Sequence, residues 1–185
     1  ETDDQGALDM SSDPSFRGDF IRWNIFRDIG KGPVANGQAA IRFDEGISGI
    51  VVYGNRFERA CNGNYGAVHI DGGQDNAVDS NLFIGCKYGI SFSPWGQSKW
   101  QDFIMSDLIA TRILNDVCVR AYPYKSRYPE LVDIWQQVDI NNIWRNTFIG
   151  GQQDFYRRPA RTDLWANQSI LQIPESGTLP QGTIS

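Results

Sequence analysis

Apolar and polar residues alternate in short runs along much of the chain, and the runs recur in a fixed order. Ala40-Ile41-Arg42-Phe43-Asp44 is answered by Ala67-Val68-His69-Ile70-Asp71, with Asp44 and Asp71 27 positions apart. Val52-Tyr53-Gly54-Asn55-Arg56-Phe57 is answered by Val78-Asp79-Ser80-Asn81-Leu82-Phe83, with Asn55 and Asn81 26 positions apart. Alternation with period two is strand spacing, not helix spacing. A repeat this short cannot bury its own apolar residues and must stack on its neighbours. The pattern predicts an all-β solenoid, a right-handed parallel β-helix with two strands in each coil.

The first coil begins at Gly6-Ala7-Leu8-Asp9-Met10-Ser11, and Ile21-Arg22-Trp23-Asn24-Ile25-Phe26 supplies its second phrase. The fourth begins at Ile90-Ser91-Phe92-Ser93, but its second phrase waits until Ile143-Trp144-Arg145-Asn146-Thr147-Phe148. From Asn81 to Asn146 is a step of 65 residues, so residues 97–139 are read as an inserted excursion with structure of its own. Asp102 to Leu114 has apolar positions compatible with a short helix, and Pro129-Glu130 is a stronger helix start. A last Asn at Asn167 suggests a fifth coil, and residues 172–185 read as a loop-like tail that covers it. The whole chain, residues 1–185, is predicted to be one domain. Glu1 falls directly into a repeat phrase, so the expectation is a C-terminal part of a longer protein whose preceding coils pack on this one.

Superposing the coils gives columns. Leu8, Ile41, Val68 and Ile90 form one, Met10, Phe43, Ile70 and Phe92 another, and both should point inward. Asn24, Asn55, Asn81, Asn146 and Asn167 form an Asn ladder, and Phe26, Phe57, Phe83 and Phe148 an aromatic one. These are structural: the amide bonds along the stack and the ring fills the core. Alternation then turns Asp9, Arg42, His69 and Ser91 outward, with Ser11, Asp44, Asp71 and Ser93 beside them.

That outward face holds the candidate chemistry. Strands about 4.8 Å apart would hold the Asp44 and Asp71 carboxylates at roughly 5 Å. That is near the separation of about 5–5.5 Å in a retaining glycosidase, and like charges so close raise one of the two pKa values. The plainer alternative is a solvated acidic stripe or a salt bridge to Arg42. Asp9, Arg42, Glu45 and His69 are candidate substrate contacts on the same face. The insertion is crowded with aromatics, of which Trp95, Trp100, Tyr124 and Tyr128 are candidate platforms for the C–H face of a sugar. They could equally serve only to pack the insertion on the barrel.

Composition adds limits. A net charge of −5 argues against nucleic acid or an anionic membrane as partner, since both select basic patches. No apolar run approaches membrane-spanning length. A single histidine excludes multi-histidine metal sites. Cys61 and Cys86 fall near one corner of successive coils and are read as buried thiols in preference to a disulfide, with Cys118 unpaired.

The phrases T-D-D-Q-G-A-L, F-D-E-G-I-S-G-I-V-V-Y-G-N-R-F, H-I-D-G-G-Q-D-N-A-V-D-S-N-L-F and S-R-Y-P-E-L, in that order, resemble bacterial right-handed β-helix proteins around glycoside hydrolase family 141. The resemblance runs from Thr2 to about Gly151. It implies a secreted or periplasmic enzyme of polysaccharide breakdown, with catalytic carboxylates at Asp4 and Asp44. Such proteins often carry Gly where Asp71 stands, and Asp-Ala-Arg-Gly where Ser93-Pro94-Trp95-Gly96 stands. Three functions follow as expectations. The first is a cofactor-free glycoside hydrolase acting on a polysaccharide or oligosaccharide with Asp44 and a second carboxylate, Asp71 or Asp4. The second is a polysaccharide lyase or epimerase on the same scaffold, with Arg42, Lys87 or a calcium ion stabilising the enolate. The third is a glycan-binding solenoid without catalysis.

Overall fold

The computed structural model describes residues 3–136, 140–159 and 171–173 of the chain. Each coil contains three strands. The first has β1 (Gln5–Ser11), β2 (Phe20–Arg22) and β3 (Ile25–Arg27), and the second has β4 (Gly37–Asp44), β5 (Val51–Tyr53) and β6 (Arg56–Glu58). A short strand β7 (Cys61–Gly63) precedes the third coil, which has β8 (Val68–Asp71), β9 (Ala77–Asp79) and β10 (Leu82–Ile84). β11 (Tyr88–Ser93) leads to the insertion, after which β12 (Asn142–Trp144) and β13 (Thr147–Ile149) complete the fourth coil. β14 (Gln153–Tyr156) and β15 (Leu171–Ile173) follow. The strands stack in three sheets, β1-β4-β8-β11-β14, β2-β5-β9-β12 and β3-β6-β10-β13-β15. All of these pairings are parallel, and only β7 runs antiparallel, against the start of β4. The chain is a parallel β-helix.

The two strands expected per coil are therefore three, because the second phrase turns a corner in its middle. The residue before each ladder Asn takes the left-handed conformation: φ is +60° at Trp23, +64° at Gly54, +55° at Ser80 and +49° at Arg145. The Asn itself stitches the corner. Asn81 Oδ1 accepts from the Asn55 backbone N–H at 2.9 Å and from Asn55 Nδ2 at 3.1 Å, while Asn81 Nδ2 donates to Val52 O and Asn146 Oδ1, both at 3.0 Å. Asn24 joins through its backbone N–H to Asn55 Oδ1 at 3.0 Å. The expected rung at Asn167 and the tail beyond Ile173 lie outside the described residues, while Gln172 and Ile173, expected as loop, belong to β15. A second, shorter Asn ladder at Asn76 and Asn141 serves the corner between the first two sheets.

Ile41, Val68 and Ile90 are buried as the alternation predicts, whereas Leu8, in the first coil, is 42% exposed. Leu8 pairs with Ile41, Ile41 with Val68 and Val68 with Ile90, and the rings of Phe26, Phe57, Phe83 and Phe148 stack at 5.1, 4.8 and 4.9 Å. That repeat equals the inter-strand spacing, so each coil adds one ring to a continuous apolar column.

The insertion has its own core of Trp100, Ile104, Ile109, Ile113, Val119, Leu131 and Ile134. Its helices are α1 (Gly96–Ile104), α2 (Asp107–Thr111), which runs on into a π turn at Arg112–Asp116, and α3 (Tyr124–Arg127). The helix expected at Pro129 is only a five-residue 3-10 turn, Pro129–Asp133. α1, which begins at Gly96, carries no proline or capping side chain to mark its start. Arg17, almost wholly buried, clamps the insertion to the barrel by bonding Asp75 at 2.8 Å and Glu130 at 3.3 Å.

Candidate active site

The first sheet carries the site on its outer face because β1, β4, β8 and β11 are in register. Asp9 lies beside Arg42, Arg42 beside His69 and His69 beside Ser91, while Ser11 pairs with Asp44 and Ser93 with Asp71. Phe43 and Ile70 are fully buried, so Asp44 and Asp71, the residues after them, lie on the outside of the wall.

Arg42 is the centre of the face. Its guanidinium meets Asp44 at 2.8 Å, Asp4 at 3.1 Å and Asp9 at 3.3 Å, gathering carboxylates from β4, β1 and the turn before β1. Asp9 also accepts from the Gly6 backbone N–H at 2.9 Å, which fixes it in place. Asp44 and Asp71 share a side-chain hydrogen bond, and the Trp95 indole N–H donates to Asp71 Oδ1 at 2.7 Å. Burial of the Asp44 carboxyl raises its pKa, Arg42 pulls it down, and the charge and hydrogen bond of Asp71 push it up again, to about 6. The Asp44 side chain is only 16% exposed. The result is a carboxylic acid that still holds its proton in mildly acidic solution, in contact with a second carboxyl group.

Several sequence candidates stand elsewhere than expected. His69 is not at the surface: Tyr65 stacks flat on it with ring centroids 3.8 Å apart, and Ser91 Oγ lies 2.7 Å from Nδ1. Burial, with Arg42 and Arg157 nearby, lowers its pKa to about 3, so it is a neutral support beneath the face. Trp100 is completely buried in the insertion core, its N–H spent on Ile134 O at 2.6 Å, and offers no surface to a sugar. Tyr124 and Tyr128 pack against that core with their rings 5.8 Å apart, and Tyr128 carries its hydroxyl to Gly18 at the first coil's corner. Glu45 is exposed and turned toward the first coil, where Ser12 Oγ donates to it at 2.5 Å. Of the four aromatic candidates, Trp95 is the one the structure sets against the carboxylates.

Trp95 reaches that position because Gly72 makes room for it. A Cβ on Gly72 would lie 2.6 Å from the indole ring, and its φ of +66° also suits glycine. Gly46, at the equivalent corner one coil earlier, admits Phe103 in the same way, where a Cβ would meet the ring at 2.9 Å. Lys99 Nζ sits 3.9 Å from the Trp95 ring centroid. With Gly72 and Lys99 against the ring, the indole acts through its N–H on Asp71 and not as an open platform. Trp95→Phe should keep the ring packing and remove that bond. A hydrogen bond to a charged group is worth about 1.5–3 kcal/mol, so the melting temperature should fall, and under the function proposed below turnover is expected to fall about ten- to a hundredfold. Unchanged turnover would show that Asp71 needs no such donor.

Tyr65 is the residue the sequence reading missed. β7 folds back on β4, and Tyr65, just past it, covers His69 and bonds the Asp4 carboxylate through its hydroxyl. Burial and that carboxylate push the phenol pKa well above its usual value, so it stays a proton donor. The stretch Asn62-Gly63-Asn64-Tyr65-Gly66 lies between the repeat phrases, where alternation assigns no side chain to either face. Asp3, whose carboxylate accepts backbone N–H bonds from Asp4, Ala35, Asn36 and Gly37, holds the neighbouring turn and with it the position of Asp4.

Cys61, Cys86 and Cys118 are all free thiols. Among the described residues no group of three or more His, Cys, Asp or Glu is arranged to hold a metal ion, and no helix is long and apolar enough to cross a membrane. A cavity of about 440 Å³ lies apart from the site, at the corner between the third and first sheets, whereas the carboxylates lie on the open wall. Neither known protein families nor curated proteins nor solved structures give a significant match to the chain.

Proposed function

We propose that the protein is a carbohydrate-active enzyme, a glycoside hydrolase whose outer face cleaves a polysaccharide or oligosaccharide outside the cell that makes it. The observation that carries this reading is the contact between Asp44 and Asp71, with the Asp44 proton held to about pH 6. Asp44 is then the acid that protonates the leaving oxygen, and Asp71, fixed by Trp95, is the carboxylate that attacks the anomeric carbon. Adjacent strands about 4.8 Å apart hold the two carboxyl groups nearer to the separation of a retaining pair than to the wider one of an inverting pair, so the anomeric configuration should be retained. Asp4 and Asp9 hold Arg42, and through it the orientation of Asp44.

The lyase alternative needs a free cation to neutralise the substrate's carboxylate and the enolate that follows. Arg42 already meets three carboxylates, and Lys87 donates to Gly63 O at 2.7 Å and stands over Tyr88. The geometry therefore supports hydrolysis better than elimination.

The test is product analysis on a panel of plant and algal polysaccharides. Hydrolysis gives new reducing ends without an ultraviolet-absorbing double bond, and the first product anomer keeps the substrate's configuration. Activity should fall as pH rises through about 6, where Asp44 loses its proton. An unsaturated product would select the lyase, and binding without turnover would select a glycan-binding solenoid.

A further inference from the structure

The corner between the third and first sheets lies outside the proposed site and carries chemistry that site does not use. Its cavity of about 440 Å³ is lined by Lys31, Arg59 and Lys87 together with Cys61 and Cys86. Asp28, the acidic residue in the lining, is paired with Arg59 at 2.7 Å, so the lining as a whole is cationic. The coil repeat brings the thiols together: Phe57 and Phe83 are in register, and Cys61 and Cys86 follow them by four and three residues. Cys61 is half-buried at the cavity, whereas Cys86 is only 3% exposed. Both thiols line this cavity, and their interaction lowers the Cys61 pKa and, with burial, pushes that of Cys86 up. A thiol of lowered pKa in an electropositive, partly open setting is where reactive cysteines occur, and a second thiol beside it is what resolution into a disulfide requires.

We propose that Cys61 and Cys86 form a peroxide-reactive dithiol, with Cys61 as the nucleophile opening onto the basic cavity and Cys86 as the thiol that resolves it into a disulfide. The Cys61 thiolate attacks one oxygen of hydrogen peroxide; the S–O bond forms, the O–O bond breaks, and the hydroxide that leaves takes up the proton Cys61 released. Cys86 sulfur then attacks the Cys61 sulfenic sulfur. The S–S bond forms, the S–O bond breaks, and hydroxide leaves with the Cys86 proton as water. Two thiols have lost two electrons and two protons, and one peroxide has become two waters. Lys87, whose charge helps to lower the Cys61 pKa, stabilises the thiolate.

Cys118 is the internal control. It is exposed, and its sulfur contacts the Asn115 carbonyl. If exposure alone set reactivity, Cys118 would oxidise first. The reduced, folded chain is treated with graded hydrogen peroxide, and each cysteine is followed by peptide mass mapping. The expected result is a Cys61–Cys86 disulfide forming at least about threefold faster than any oxidation of Cys118. In Cys86→Ser, dimedone should label Cys61 as the trapped sulfenic acid. If that variant does not fold, the wild-type comparison decides alone, since it needs no substitution. Oxidation of Cys118 ahead of the pair, or thiols at Cys61 and Cys86 that survive the treatment, overturns the proposal.

Discussion

Asp44→Asn is expected to cut turnover on order of 10³-fold, because general acid catalysis contributes about 10²–10⁴ and an amide cannot supply the proton. The fold should persist. The side chain lies on the outer wall, the substitution is isosteric, and the Asn carbonyl can still accept from Arg42. Stability should even change in the opposite sense to activity. The folded Asp44 has a pKa of about 6 against 3.8 for the unfolded group, so between those values the folded protein binds more protons than the unfolded one. Its contribution to stability is complete below about pH 4 and is lost as pH rises through about 6. The Asn variant lacks that loss, so its melting temperature should decline less than the wild type's between pH 4 and pH 7. Asp71→Asn, measured beside it, should cost as much in turnover, while Asp4→Asn should cost less because Asp9 and Asp44 still hold Arg42. Near-normal turnover in Asp44→Asn would remove this pair from catalysis, and an Asp4 effect larger than that of Asp71 would move the partner role to Asp4.

What the sequence revealed and what it hid follow one physical line. The repeat is a one-dimensional pattern, and a solenoid translates it directly: the Leu8-Ile41-Val68-Ile90 column and the Phe26-Phe57-Phe83-Phe148 stack are neighbours in sequence phrase and in space. The outward position of Asp44 and Asp71 follows from the same alternation. Corners are less legible, because V-Y-G-N-R-F alternates like a strand while Gly54 turns it through a left-handed residue. Contacts made by segments outside the repeat were hidden altogether. Alternation says which side of the wall His69 faces, but not that Tyr65 closes over it. Nor does the density of aromatics in the insertion separate Trp95, which reaches Asp71, from Trp100, which fills the insertion's own core. That distinction comes from packing, with Gly72 leaving room for one ring and the helix α1 burying the other.

The largest stability effect is expected at the Asn ladder, and its size should depend on the rung. Asn81 is 1% exposed and its amide makes four hydrogen bonds, two accepted from Asn55 and two donated to Val52 O and Asn146 Oδ1. Asn81→Ala leaves the Asn55 backbone N–H without its partner, while the Val52 carbonyl keeps its place in the β5–β9 ladder. Asn146 Oδ1 keeps the Asn81 backbone N–H at 2.9 Å, and Asn55 Nδ2 keeps Ile21 O at 2.7 Å, so those two groups are only partly deprived. An unsatisfied buried polar group costs about 1–3 kcal/mol, and the one left here predicts a loss of about that size. Asn24 offers the contrast. It is exposed, its backbone N–H still reaches Asn55 Oδ1 after truncation, and the Arg22 carbonyl it bonds can turn to water. Asn24→Ala should therefore cost less than about 1 kcal/mol. Urea unfolding of the two variants reads the difference directly. Equal, small losses would mean that the stacked strands hold each corner without the amide, and that the ladder records the repeat without stabilising it.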